Sequence, residues 1–137
     1  MPASCASVIG LVLLGLGIAG CGNTADRDRA TEVTQRFFAA VGSGDGAAAC
    51  DQLSTDTRTA LEDDEGKPCP EAIGDVNLEG GAVVATEVYA INAKADLDNG
   101  ESAFLSMTRD GWRISAVGCA LGDGPPDQEP MDCEVEA

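Results

Sequence analysis

The sequence contains no histidine, two lysines, and a sparse aromatic set of one tryptophan, one tyrosine and three phenylalanines in 137 residues. The missing histidine removes the commonest general base and the commonest metal ligand at once. Basic residues are also scarce: eight Lys and Arg stand against 24 Asp and Glu, for a formal charge of -16. Such a field repels phosphate backbones and anionic headgroups, and no basic stripe interleaved with aromatics offsets it, so nucleic-acid binding is excluded. Also missing are a Gly-x-Ser-x-Gly elbow, a phosphate loop and a Cys-x-x-Cys pair, and no cofactor is expected.

No apolar run reaches the roughly 20 residues of a spanning helix. The segment from Val8 to Ala19 is shorter and is broken by Gly10, Gly15 and Gly17, which matches the apolar stretch of a signal peptide. It ends in Ile18-Ala19-Gly20-Cys21, a pattern that resembles the lipobox of a bacterial lipoprotein. The resemblance implies cleavage before Cys21 and a diacylglyceryl group on its sulfur. A plain secretory signal is the closest rival, but it gives Cys21 no reason to follow Ala19-Gly20. Met1 to Ser7 holds no Lys or Arg, a departure from the usual basic start that leaves the position of the true translation start open. The expected division is a signal peptide over 1–20, a lipidated cysteine and polar spacer over 21–28, and one domain over 29–137 ending in an acidic tail.

The removed segment carries no ionisable acid or base, so the whole charge belongs to the exported part. Much of the acid lies in Glu62-Asp63-Asp64-Glu65 and between Asp123 and Glu136, and such runs are ordinarily solvated faces or loops. Cys5 falls in the discarded segment. Cys50, Cys69, Cys119 and Cys133 remain, an even number in an exported domain, and read as disulfides. Of the three possible pairings we expect the two local ones, Cys50 with Cys69 and Cys119 with Cys133. Zinc is the competing use, but close ligand pairs and histidine are both missing.

The spacing of apolar residues predicts helices first and strands afterwards. Asp26 is a candidate N-cap for a helix to about Val41, with Val33, Phe37, Phe38 and Val41 on one face. Asp45 suits the cap of a short second helix through Cys50 and Leu53, and Ser54 or Thr55 that of a third through Leu61. Pro70 fits the first turn of a further small helix. From Asp75 on, Gly80-Gly81, Asn99-Gly100 and Asp110-Gly111 punctuate alternating segments. Strands are expected at Val83–Tyr89, Ala93–Leu97, Ser102–Thr108 and Trp112–Val117, with a tight turn near Ile91-Asn92 and a short edge at Val76–Leu78. Asp96-x-Asp98-Asn99-Gly100 approaches a calcium loop, but its glycine is one position early and the distal glutamate is missing, so a hairpin turn is expected.

Several of these segments together resemble a family. Phe37-Phe38-Ala39-Ala40, Gly44-Asp45-Gly46-Ala47-Ala48-Ala49-Cys50, Cys69-Pro70-Glu71-Ala72, Gly111-Trp112-Arg113-Ile114, Gly118-Cys119 and Asp132-Cys133-Glu134-Val135 are similar, in that order, to small actinobacterial lipoproteins with an NTF2-like, cystatin-related domain. The resemblance spans nearly all of the exported part. It implies an α+β cone, N-terminal helices leaning on a curved antiparallel sheet, with room for a pocket; it implies no particular chemistry.

Two functions of different class follow. One is a binding or interaction module for a small ligand or envelope partner, held at the outer face of the cytoplasmic membrane through Cys21. The other is a small acid/base enzyme of isomerase or dehydratase type. Enzymes of this fold pair a buried carboxylate with a tyrosine, so the resemblance directs attention to Glu87 and Tyr89. Trp112 and Phe104 are candidates for a pocket wall, although packing on the first helix accounts for them equally. Catalytic and metal-binding residues are not otherwise expected.

Overall fold

A computed structural model describes residues 21–120 and 131–137; the signal-peptide expectation and Cys5 lie outside them. The chain runs α1 (Cys21–Ser43), α2 (Gly46–Cys50), α3 (Thr55–Glu65) and α4 (Cys69–Ala72), then β1 (Val83–Tyr89), β2 (Asn92–Leu97), β3 (Ser102–Thr108), β4 (Gly111–Cys119) and β5 (Val135–Glu136). The strands form one antiparallel sheet in the order β1-β2-β3-β4-β5. The α+β class is therefore as expected. Among the described residues no helix is long and apolar enough to cross a membrane.

Local capping sets both ends of α3 and the start of α2. Asp45 accepts from the Ala48 amide at 3.0 Å and Ser54 from the Thr57 amide at 3.1 Å, each satisfying an amide that the first turn leaves without a partner. Gly66, in the left-handed region at φ 67°, closes α3. Pro70 sits in the first turn of α4, where its missing N–H costs nothing.

The start of α1 differs from expectation. Residues from Cys21 on are already helical, so Gly22–Asp28 belongs to α1 and Asp26 is internal to it. The reason is tertiary: the Asp26 carboxylate accepts from the indole Nε1 of Trp112 at 3.3 Å, which docks these turns on the sheet. Further along, Ala30, Val33, Phe37 and Ala40 are buried at helical spacing, while Glu32 and Arg36 are exposed and paired with each other.

The four expected strands form, with limits shifted by at most two residues. Ala90 and Ile91 make a two-residue turn between Tyr89 and Asn92, with Ala90 at φ 54°. Val76–Leu78 is not a strand; half-buried Val76 and Leu78 pack on the core instead of pairing with the sheet. The chain end also departs from a purely solvated tail. Val135 is buried and pairs with Val117, and Ala120 exchanges main-chain bonds with Asp132.

The sheet's helix-facing side presents Ala93, Ala95, Leu97, Ala103, Leu105, Trp112, Ile114 and Val117, all buried. Phe37 fills the centre against it. Seven of the buried positions, Ala30, Ala40, Ala49, Ala72, Ala93, Ala95 and Ala103, are alanines, which lets helices and sheet approach closely but limits the apolar area each residue removes from water. Covalent staples supply part of the difference. Cys50 bonds Cys69 and Cys119 bonds Cys133, the expected local pairing; closing loops of this length stabilises by about 3 kcal/mol each.

Candidate functional site

One concavity among the described residues lies at the α1–α2 end of the molecule. Val41 on the last turns of α1, Gly44 and Gly46 around the start of α2, Pro70, Ile73 and Gly74 around α4, and Val76–Leu78 beyond it surround a groove of about 300 Å³. Its geometry follows from a close approach of main chains. A methyl group at Gly46 would lie 2.1 Å from the carbonyl oxygen of Pro70, so only glycine lets α2 rest on α4 here. The Cys50–Cys69 bridge then locks those two helices together. Lys67 pairs with Asp75 across α4 and braces the outer wall.

Additional polar contacts hold the frame. Glu62 accepts from the Cys69 amide at 2.9 Å, so one carboxylate of the acidic run closes the start of α4. Its neighbours Asp63, Asp64 and Glu65 are exposed, as expected of a solvated face. The groove itself carries no charged side chain; its walls are aliphatic carbons, glycine main chain and the amide of Asn77. Such a lining suits a small neutral ligand with few polar groups, and its volume is at the lower end of small-molecule sites.

The residues singled out from the sequence lie elsewhere. Trp112 is buried in the core with its indole nitrogen occupied by Asp26. Phe104 is half-buried on the other side of the sheet, in register with Lys94 and Ala116. Neither touches the groove. Small-residue punctuation at Gly44, Gly46 and Gly74 around Pro70 was the available sequence signal, since main chain without side chains leaves space.

Glu87 and Tyr89 do meet. The Tyr89 hydroxyl donates to Glu87 Oε2 at 2.6 Å, but both side chains are exposed on the face of the sheet away from the helices. The Glu87 carboxylate raises the tyrosine pKa above its ordinary 10.0, first through this hydrogen bond, so the phenol holds its proton more firmly. The buried polar side chains among the described residues are Thr34, Thr57 and Ser102, none of them a carboxylate. One carboxylate oxygen, Glu101 Oε2, is buried without a hydrogen-bond partner although its residue is only half-buried.

Lys94, Asp96, Glu101 and Ser102 border a shallower depression of about 270 Å³ on the same outer side. Lys94 lies 2.8 Å from Asp96, and the Ser102 hydroxyl donates to Asp96 at 2.7 Å. These two hydrogen bonds, Lys94 first, hold the aspartate below its usual range. Asp98 and Asn99, from the calcium-like stretch, are engaged by main chain: Asp98 accepts from Ala82 and Asn99 from Glu101, both at 3.0 Å. The segment is a hairpin turn.

No protein-family model matches the chain, and no curated protein and no solved structure matches it either.

Proposed function

We propose that the chain is a lipoprotein whose exported domain binds a small, neutral, mainly apolar ligand in the groove between α1, α2 and α4. In this reading the protein is cut before Cys21 and anchored by acyl chains to the outer face of the cytoplasmic membrane. The lipobox-like Ile18-Ala19-Gly20-Cys21 and the two disulfides support export, because such bridges persist in oxidising compartments. The order of helices before an antiparallel meander supports an NTF2-like domain.

The observation that carries the binding assignment is the uncharged groove of about 300 Å³ beside a disulfide that fixes its walls. A preformed cavity loses little entropy on binding, and aliphatic walls reward removal of apolar ligand surface from water.

The test uses Gly74→Trp. A Cβ at Gly74 meets only the Glu71 carbonyl, at an ordinary 3.5 Å, so a side chain can branch from the groove wall at this point without a main-chain clash. Nile red, a neutral apolar dye, is expected to bind the native domain with enhanced fluorescence and to bind the variant at least about tenfold more weakly, a loss of about 1.4 kcal/mol. Equal binding by a folded Gly74→Trp domain refutes the groove as the site.

A further inference from the structure

The two edges of the sheet are treated differently. β4 is covered on its outer side: the Ser54 amide donates to Ile114 O at 2.8 Å, the Ile114 amide to Gln52 O at 2.9 Å, and β5 continues the cover. Among the described residues β1 pairs with β2 alone. The Ile91 carbonyl accepts from the Met107 amide at 2.7 Å, which fixes the alternation along β2. Ile91, Ala93 and Ala95 turn their main chain toward β3, whereas Asn92, Lys94 and Asp96 turn theirs toward β1. In the β1–β2 register, Tyr89, Glu87 and Ala85 are then the bonded partners, and the N–H and C=O groups of Thr86 and Val88 point outward from the sheet.

From Ala85 to Tyr89 that edge carries only one of the devices that ordinarily block pairing, the charge of Glu87. Val83–Tyr89 contains no lysine and no proline. A bulge at Val84 ends the regular stretch on one side, leaving Ala85 to Tyr89 open. Apolar groups border it: Val84 and Ile91 are each 64% exposed and Tyr89 58%. Unpaired main chain flanked by exposed apolar groups is a template for another strand.

We infer that the free edge of β1 receives an extended basic segment of a partner protein as a sixth strand. Charge decides the occupant. A second copy would bring together two chains of formal charge -16, whereas a basic segment is drawn in by the same field. Glu87 is the only charge on β1, and Glu79 and Asp98 are exposed where the strand begins. Main-chain bonds at Thr86 and Val88 supply affinity, and alternate side chains of the incoming strand meet Glu87 and Tyr89 on the outer face.

The test titrates the full chain, in mild detergent, with a capped peptide of about seven alternating lysines and valines, an ordinary strand length. Exchange protection is expected at the Thr86 and Val88 amides, with affinity at least about tenfold above that of a glutamate–valine peptide and weakening as salt shortens the screening length. Thr86→Pro removes an outward N–H, together with the hydroxyl that bonds Thr31 on α1 at 2.8 Å, while leaving the β1–β2 bonds, and is expected to bind at least about tenfold more weakly. Should that variant misfold, Glu87→Lys changes an exposed side chain, giving up the Tyr89 hydrogen bond and facing Lys94 in register, and is expected to weaken the lysine–valine peptide by a similar factor. Equal binding of the two peptides, protection confined to the groove, or a dimer that pairs through β1 and excludes the peptide each overturns the inference.

Discussion

Asp26 and Trp112 lie 86 positions apart, yet the indole Nε1 of one donates to the carboxylate of the other at 3.3 Å, joining the first turns of α1 to β4. Asp26 also lies 3.8 Å from Arg29 on the next turn. The carboxylate thus orients the helix start and satisfies the polar atom of the largest buried aromatic.

Asp26→Ala is expected to destabilise the fold by about 1 kcal/mol, the net worth of an ordinary hydrogen bond together with an unsatisfied indole N–H. Asp26→Asn keeps an acceptor and is expected to lose less. Urea unfolding followed by the fluorescence of the single tryptophan measures both.

Removing Cys50 and Cys69 together as alanines is expected to cost about 3 kcal/mol and to loosen the groove walls. Removing Cys119 and Cys133 costs a similar amount and is expected to free β5, read as rapid amide exchange at Val135. A stability unchanged by either double substitution contradicts the structural role given to the bridges.

Gly46→Ala places its methyl carbon against the Pro70 carbonyl, 2.1 Å away in the unrelaxed structure. Since that oxygen belongs to main chain, α2 and α4 must separate, with an expected loss of about 1–3 kcal/mol. Gly44→Ala makes no such contact but takes up a left-handed conformation with φ 73°. Its smaller loss, about 1 kcal/mol, separates backbone strain from overpacking.

Two titrations check the outer face of the sheet. Asp96 has a folded pKa below 3.8, so its stabilising effect is complete above the unfolded value and is lost as pH falls through the folded one. Lys94→Met is expected to lower stability at neutral pH and to shrink that difference in acid. Tyr89 behaves in the opposite sense: its folded pKa lies above 10.0, so its contribution is present below the unfolded value and disappears as pH rises through the folded one. Glu87→Gln is expected to shift the phenolate absorbance titration back toward 10.0.

Cys21→Ala is expected to move the protein from the detergent phase to the aqueous phase and to abolish palmitate labelling, because two acyl chains are needed for stable attachment. Retention of either property in the variant would exclude lipidation at this residue.

The parts of the structure that were legible beforehand share one property: their causes lie within a few residues. Asp45, Ser54 and Gly66 act on amides and carbonyls of their own helices, and Asn99-Gly100 turns the chain between neighbouring strands. The groove was not legible, since it depends on Gly46 meeting Pro70 across two helices. Glu87 and Tyr89, two apart on β1, share one face by alternation, but alternation alone does not say which face meets the helices.

Sequence by itself determined the helices-then-meander order, the caps, the turns and the local pairing of the four sulfurs, because short chain separations make those contacts cheap in entropy. Tertiary structure alone decided that Gly22–Asp28 joins α1, that Val135 pairs with β4, that Glu62 serves α4, and that among the described residues β1 pairs with β2 alone. Each of these depends on groups far apart in the chain, or on an absent neighbour, and becomes favourable only once helices and sheet have packed and excluded water between them.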